Sequence, residues 1–377
     1  MRVQDLIEAM ERIAPTRFAE DWDNVGLLIG RAEQELSGPA LLTIDLNEAV
    51  VDEAVKRRVG AIIAYHPPIF RPIKRLSGAT AKERVLLRVI ESRMAVYSPH
   101  TALDSAPGGM TDWLADGLLD RKGIVKADRR ALRPRVDRPM TQEVKIVTFL
   151  PAEKVDDLRA ALGTAGAGLI GKYEVCSFAM PGAGTFFARP GAAPAVGETG
   201  KLERVQEVRL EMVCSQRALA LAMAVIKQFH PYEEPAVDVY PLLGRPERGA
   251  GVGRRLVLDQ AVTLEKLADR LKTHLGIPTV KLAPASDRPV QRVGVSPGAG
   301  SEVAPLALAD GCDVFVTGEM KHHEVLPLLD AGMSVILAGH TNTERGYLPA
   351  LAERLGAEAP QAEFLVSQAD RSPFVWK

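Results

Sequence analysis

The stretch IIAYHPPIF (62–70) starts as a strand and is halted by two prolines. Proline donates no backbone hydrogen bond to a ladder, so the strand ends before Pro67 and His66 stands at its carboxyl end. The same grammar recurs along the chain: a helical stretch, a short break, an apolar strand and a terminal histidine. NEAVVDEAVKRRVGAIIAYH ends at His66 and AKERVLLRVIESRMAVYSPH at His100. EVAPLALADGCDVFVTGEMKHH ends at His322 and His323, and HEVLPLLDAGMSVILAGH at His340. The helical parts repeat apolar residues at three- and four-residue steps, and the strands are nearly continuous Val, Ile, Ala and Phe. Helices alternating with strands buried on both faces predict an α/β fold, a helix-covered sheet. Ligands of such sheets sit beyond the carboxyl ends of the strands.

Five of the seven histidines thus fall at or just past strand ends. A strand end needs only a polar residue, and Asp, Asn or Ser would serve. Repeated imidazole on one sheet edge points instead to metal. Carboxylates accompany the histidines. Asp104 follows His100 by four residues in SPHTALDSAPGG, and Glu344 follows His340 by four in AGHTNTERG. On a helix that spacing places both side chains on one face. Imidazole with carboxylate suits a borderline or harder divalent ion such as Zn, Mn, Fe or Co. SPGAGS (296–301), between a strand and a helix, is a further candidate anion loop, without the full dinucleotide fingerprint or the P-loop lysine.

The whole chain of 377 residues carries 47 Lys plus Arg against 48 Asp plus Glu, a net charge of −1. That balance gives no general attraction for nucleic acid or an acidic membrane. Its three cysteines, Cys176, Cys214 and Cys312, form no CxxC pair, so neither a disulfide scaffold nor a thiolate zinc site is expected. The opening MRVQDLIEAMERIAP reads as an amphipathic helix and not as a signal or transit peptide. No apolar run reaches spanning length. These features predict a reduced, cytoplasmic protein.

The grammar breaks after about residue 128. DRRALRPRVDRP, rich in Arg and Pro, reads as a linker. The strands and helices that follow run close to βαββαβ, a ferredoxin-like unit. Its HPYEEP (230–235), with His230, Glu233 and Glu234, reads as a rigid turn. After GRPERGAGVGR the first grammar resumes. The expected organisation is a first half of an α/β body over 1–130, an insertion over 135–245 and the second half over 250–377.

DWDNVGLLIG (21–30), YHPPIF (65–70), SPHTALDSAPGG (98–109), HPYEEP, TGEMKHHE (317–324) and AGHTNTERG (338–346) together resemble the Nif-three-like family, often labelled GTP cyclohydrolase I type 2 homologue. The resemblance runs nearly end to end, with the motifs in the expected order. It implies a dinuclear metal site between the halves of the body, with up to two divalent ions per chain. It also implies a middle domain similar to the PII and CutA proteins, and a ring-shaped homohexamer. Carried over, the ligands are His66, Asp104, His340 and Glu344, with Glu344 bridging both ions. Many members have His-His-Pro where this chain has Tyr65-His66-Pro67, which leaves the second position weaker, empty, or served by Tyr65 or His100. His100, His322, His323 and Glu319 are then the catalytic candidates for proton transfer. The activity implied is metal-dependent hydrolysis of a nucleotide or similar small molecule. The alternative is a non-catalytic metal-binding regulatory or scaffold protein whose PII-like insertion senses a ligand.

Overall fold

The computed structural model describes residues 1–120 and 128–374. The chain forms two compact units, a body of Met1–Arg135 with Glu247–Lys377 and an insertion of Val136–Pro246. The first half of the body supplies β1 (Gly26–Ile29), β2 (Ala40–Thr43), β3 (Ala61–Ala64) and β4 (Ala95–Ser98). β5 (Arg133–Asp137) precedes the insertion strands β6 (Val144–Leu150), β7 (Ser177–Phe187), β8 (Leu202–Cys214) and β9 (Val237–Pro241), and β10 (Arg245–Val252) follows them and pairs with β5. The second half supplies β11 (Arg254–Val262), β12 (Lys281–Ala283), β13 (Val290–Val295), β14 (Val314–Thr317), β15 (Ser334–Leu337) and β16 (Phe364–Val366).

The body is built on two five-stranded sheets, ordered β1-β4-β3-β2-β16 and β11-β13-β14-β15-β12. β16, from the far end of the chain, pairs in parallel with β2, so both halves share the first sheet. Consecutive neighbours run parallel in each sheet: β16, β2, β3 and β4 in one, β13, β14 and β15 in the other. Their apolar continuity follows from burial on both sides. Leu41, Ile62 and Val96 pack on one face against the helices Glu48–Lys56 and Ala81–Glu91. Leu42, Ile63 and Tyr97 pack on the other against Val3–Ile13 and Leu348–Glu358. The two outer helices begin where Asn47 and Thr80 accept hydrogen bonds from Val50 N and Glu83 N. The second sheet is covered the same way, Val293 and Val314 against Leu264–Leu275, Phe315 and Val335 against Ala304–Ala309 and His322–Asp330.

The insertion is ferredoxin-like: its chain order is βαββαβ and its sheet order β7-β8-β6-β9, antiparallel throughout. Ile146, Leu210 and Met212 pack against the helices Val155–Thr164 and Gln216–Phe229. His230 ends the second helix. Its Nε2 bonds Phe149 O at 3.0 Å and its Nδ1 accepts from Tyr232 N at 3.1 Å, which makes HPYEEP a hydrogen-bonded turn.

Two local readings change. The strand before His322 and His323 ends at Thr317, and these histidines are instead the first two residues of the helix His322–Asp330. Glu324, one turn in, accepts from Lys321 N at 2.8 Å and so fixes the helix start there. The Arg-rich linker is ordered and paired rather than free: Arg130 bonds Asp310, and Arg133 and Arg135 both bond Glu20. Among the described residues no helix is long and apolar enough to cross a membrane.

Candidate metal centre

Six polar residues of the site lie just past parallel strands. Asp45 follows β2, His66 follows β3, and His100 follows β4. On the second sheet Ser296 follows β13, Glu319 follows β14 and His340 follows β15. A cleft of about 650 Å³ opens there, lined among others by Tyr65, His100, Asp104, Gly298, His340 and Glu344.

Among the described residues His66, His340 and Glu344 offer ligand atoms that all lie within 4.8 Å of one another. Glu344 sits on the short helix Asn342–Arg345, so the four-residue step from His340 brings the pair together. Its side chain is only 2% exposed. Its Oε1 is 3.3 Å from His340 Nε2 and its Oε2 is 3.6 Å from His66 Nε2, and that Oε2 has no hydrogen-bond partner. Ligands held at about 2.0–2.2 Å on a tetrahedral ion stand roughly 3.4 Å apart, so these spacings suit one ion between the three groups. Gly298 makes room for it. Its φ of +59° is left-handed, and a Cβ there would lie 2.7 Å from Glu344 Oε1 and 3.2 Å from His340 Nε2.

A carboxylate orients each imidazole from behind. His66 Nδ1 bonds Asp45 Oδ1 at 2.9 Å, His340 Nδ1 bonds Glu319 Oε1 at 2.9 Å and His100 Nδ1 bonds Asp23 Oδ1 at 2.8 Å. Each bond fixes the ring and keeps Nε2 available as the second nitrogen, the arrangement usual behind metal-bound histidine. The electrostatics agree. Burial opposes charge on His66, but the hydrogen bond to Asp45 and the nearby Glu344 carboxylate outweigh it and push its pKa up to about 10. The bond to Glu344 chiefly raises His340 to about 9. Burial would raise Glu344, yet the two imidazoles hold it below the usual carboxylate range. A proton on each imidazole balances the buried carboxylate in the place a cation would take.

Asp104 and Tyr65 line the same cleft outside this triplet. The Tyr65 hydroxyl donates to Asp104 Oδ1 at 2.7 Å. Burial, then the Asp104 charge, raises the phenol well above its ordinary pKa, so Tyr65 stays a neutral donor. Burial also pushes Asp104 up to about 6. The His100 ring lies edge-on to Tyr65 at 5.4 Å and to His66 at 5.5 Å between centroids. Glu319 serves as the partner of His340. His322 and His323 are exposed, their rings 5.2 Å apart, and neither is among the residues lining the cleft. Sequence reasoning did not single out Asp45 and Asp23. Asp45 carried the available signal, a polar residue directly after the apolar run ALLTI.

The chain matches the family model Duf34/NIF3 (NGG1p interacting factor 3) over residues 1–373. A Bacillus subtilis protein named GTP cyclohydrolase 1 type 2 homolog is 34% identical over 377 residues, covering 99% of this chain and 98% of its own. NIF3-like protein 1 of Bos taurus is 34% identical over 385 residues, covering 99% of this chain and 92% of its own. Among solved structures, a Bacillus cereus protein related to NIF3 is 31% identical with a TM-score of 0.66, covering 100% of this chain and 99% of its own. A Staphylococcus aureus protein is 27% identical with a TM-score of 0.76 and the same coverage. With strand-end histidines in an α/β body, a ferredoxin-like insertion and relatives matched over nearly their full length, the chain belongs to the Duf34/NIF3 family.

Proposed function

We propose that the cleft binds a divalent metal ion through His66, His340 and Glu344, and that the protein is a metal-dependent hydrolase of a nucleotide or similar small molecule. The observation that carries this reading is the buried Glu344 oxygen without a hydrogen-bond partner, set between two imidazole Nε2 atoms whose far nitrogens are tied to carboxylates. When bound, a divalent ion supplies a Lewis acid that lowers the pKa of water and polarises a substrate oxygen. Asp45 and Glu319 keep His66 and His340 in register for that ion. Asp104 and His100 line the same cleft. They serve a second, weaker ion position or the proton transfers of hydrolysis, because Tyr65 already donates to Asp104 and is itself a poor ligand while protonated. The name GTP cyclohydrolase 1 type 2 homolog, borne by relatives, places GTP among the substrates to test.

A second reading, a non-catalytic metal-binding regulator, draws on the insertion. Its own cleft of about 680 Å³ is lined by Phe149, Met180, Phe186, Arg209 and Tyr232 and suits a small ligand. Exposed Phe178, Phe187 and Leu202 on the outer hairpin of the insertion support self-association, as in the expected hexamer.

Calorimetric titration of chelator-treated protein with Zn²⁺ or Mn²⁺, followed by assays of GTP hydrolysis with and without metal, tests the proposal. One tight step, absent in Glu344→Ala, with metal-dependent turnover is the expected outcome. Tight binding without turnover of any nucleotide favours the regulator. No tight step, or one that survives Glu344→Ala, ends the metal reading.

A further inference from the structure

Trp22 is 55% exposed, although the segment around it is fixed. Asp23, with a fully buried side chain, accepts hydrogen bonds from Thr101 N at 3.1 Å and from the Thr101 hydroxyl, and bonds the His100 ring. Asn24 donates its side-chain amide to Ile69 O. On the other side, Glu20 N donates to Thr101 Oγ1 at 3.0 Å, Asp23 N donates to Glu20 O at 3.0 Å, and the Glu20 carboxylate takes Arg133 and Arg135. Glu20 before the indole and Asp23 and Asn24 after it are thus anchored. The indole meets Phe70 edge-on, with centroids 6.0 Å apart and planes at 65°, and His100 at 6.2 Å and 75°. It lines the same cleft as His100, Glu344 and Gly298.

A large apolar ring left half in water costs burial that this fold does not recover. Rigid support of such a ring is what a binding platform requires. Indole faces bind planar π-systems by stacking, without regard to the pattern of ring substituents. We infer that Trp22 is a specificity-determining platform at the mouth of the metal cleft, on which the substrate stacks a planar heteroaromatic ring of nucleobase type while its reacting group reaches the imidazole end. His100 couples the two ends, since its ring meets Trp22 on one side and His66 on the other. This gives the ring end of the proposed substrate its platform and rests on that reading only for the reacting end.

The test follows tryptophan fluorescence of the full-length protein, with and without Zn²⁺, during titration with adenosine and guanosine and with ribose 5-phosphate as the ringless control. Both nucleosides are expected to quench saturably and ribose 5-phosphate not at all. Calorimetry on Trp22→Leu is expected to show nucleoside affinity falling about tenfold, the scale of one aromatic stack. Trp22→Phe should restore most of it, and Zn²⁺ uptake should be the same in all three proteins. Equal nucleoside affinity in Trp22→Leu, equal quenching by ribose 5-phosphate, or no saturable quenching overturns the platform. If Zn²⁺ uptake is missing while the dependence on Trp22 holds, the metal reading falls and the platform stands. If uptake is intact and that dependence is missing, the platform alone falls.

Discussion

His66 and His340 in the body and His230 in the insertion are all held by hydrogen bonds, yet they are held in opposite ways. The body histidines spend Nδ1 on a carboxylate and turn Nε2 toward a buried carboxylate that lacks a full set of partners. His230 spends both nitrogens on backbone groups. The electrostatics divide the same way: His66 and His340 are raised to about 10 and about 9, whereas burial lowers His230. A histidine in a motif is therefore a ligand candidate when its neighbours are anionic and one nitrogen remains unspent. It is a structural residue when the main chain consumes both.

The largest effect that can break this contrast is loss of the central carboxylate. Glu344→Ala should abolish tight metal uptake, read as ions per chain by elemental analysis, whereas His230→Gln should leave uptake unchanged. Next in size, Asp45→Asn should keep the fold and lower metal affinity about 10- to 100-fold, the usual effect of losing a carboxylate behind a liganding histidine. Calorimetric titration reads it, and an unchanged affinity would separate the Asp45 bond from the metal site. Tyr65→His replaces the phenol that occupies Asp104 with a neutral nitrogen donor. The titration should then show two binding steps where the natural protein shows one tight step.

The smallest effect is in pH dependence, and its sign differs between the two units. A histidine with a raised pKa contributes stability that is fully present below its ordinary 6.5 and is lost as pH rises through the folded value. The ion-free body should therefore weaken between about pH 9 and pH 10, in line with His340 and His66. A histidine with a lowered pKa contributes stability above 6.5 that is lost as pH falls. The insertion should therefore weaken on the acid side, in line with His230. Amide hydrogen exchange in each unit across this range separates the two trends. Metal uptake should also strengthen from pH 7 to pH 9, because the ion competes with protons for both imidazoles.

The strand-end grammar was legible because its causes are local. Pro67 and Pro68 stop β3, buried strands need continuous apolar residues, and a four-residue step on a helix joins His340 to Glu344. The insertion was legible because an Arg/Pro-rich break precedes it and its βαββαβ order departs from the strand-end histidine pattern around it. Asp45 and Asp23 were not, because they meet His66 and His100 across 21 and 77 positions. No local period records such a pairing. The pairing of Tyr65 with Asp104, across 39 positions, was hidden for the same reason. His322 and His323 were misplaced because the capping contact of Glu324, rather than the apolar run, decides where the helix begins.

The most direct measurement is anomalous diffraction from crystals of the zinc-loaded protein. A peak is expected within about 2.2 Å of His66 Nε2, His340 Nε2 and a Glu344 carboxylate oxygen, at zinc-ligand distance from all three. A peak at the exposed His322–His323 pair with none at Glu344, or no peak within the cleft, would contradict the assignment.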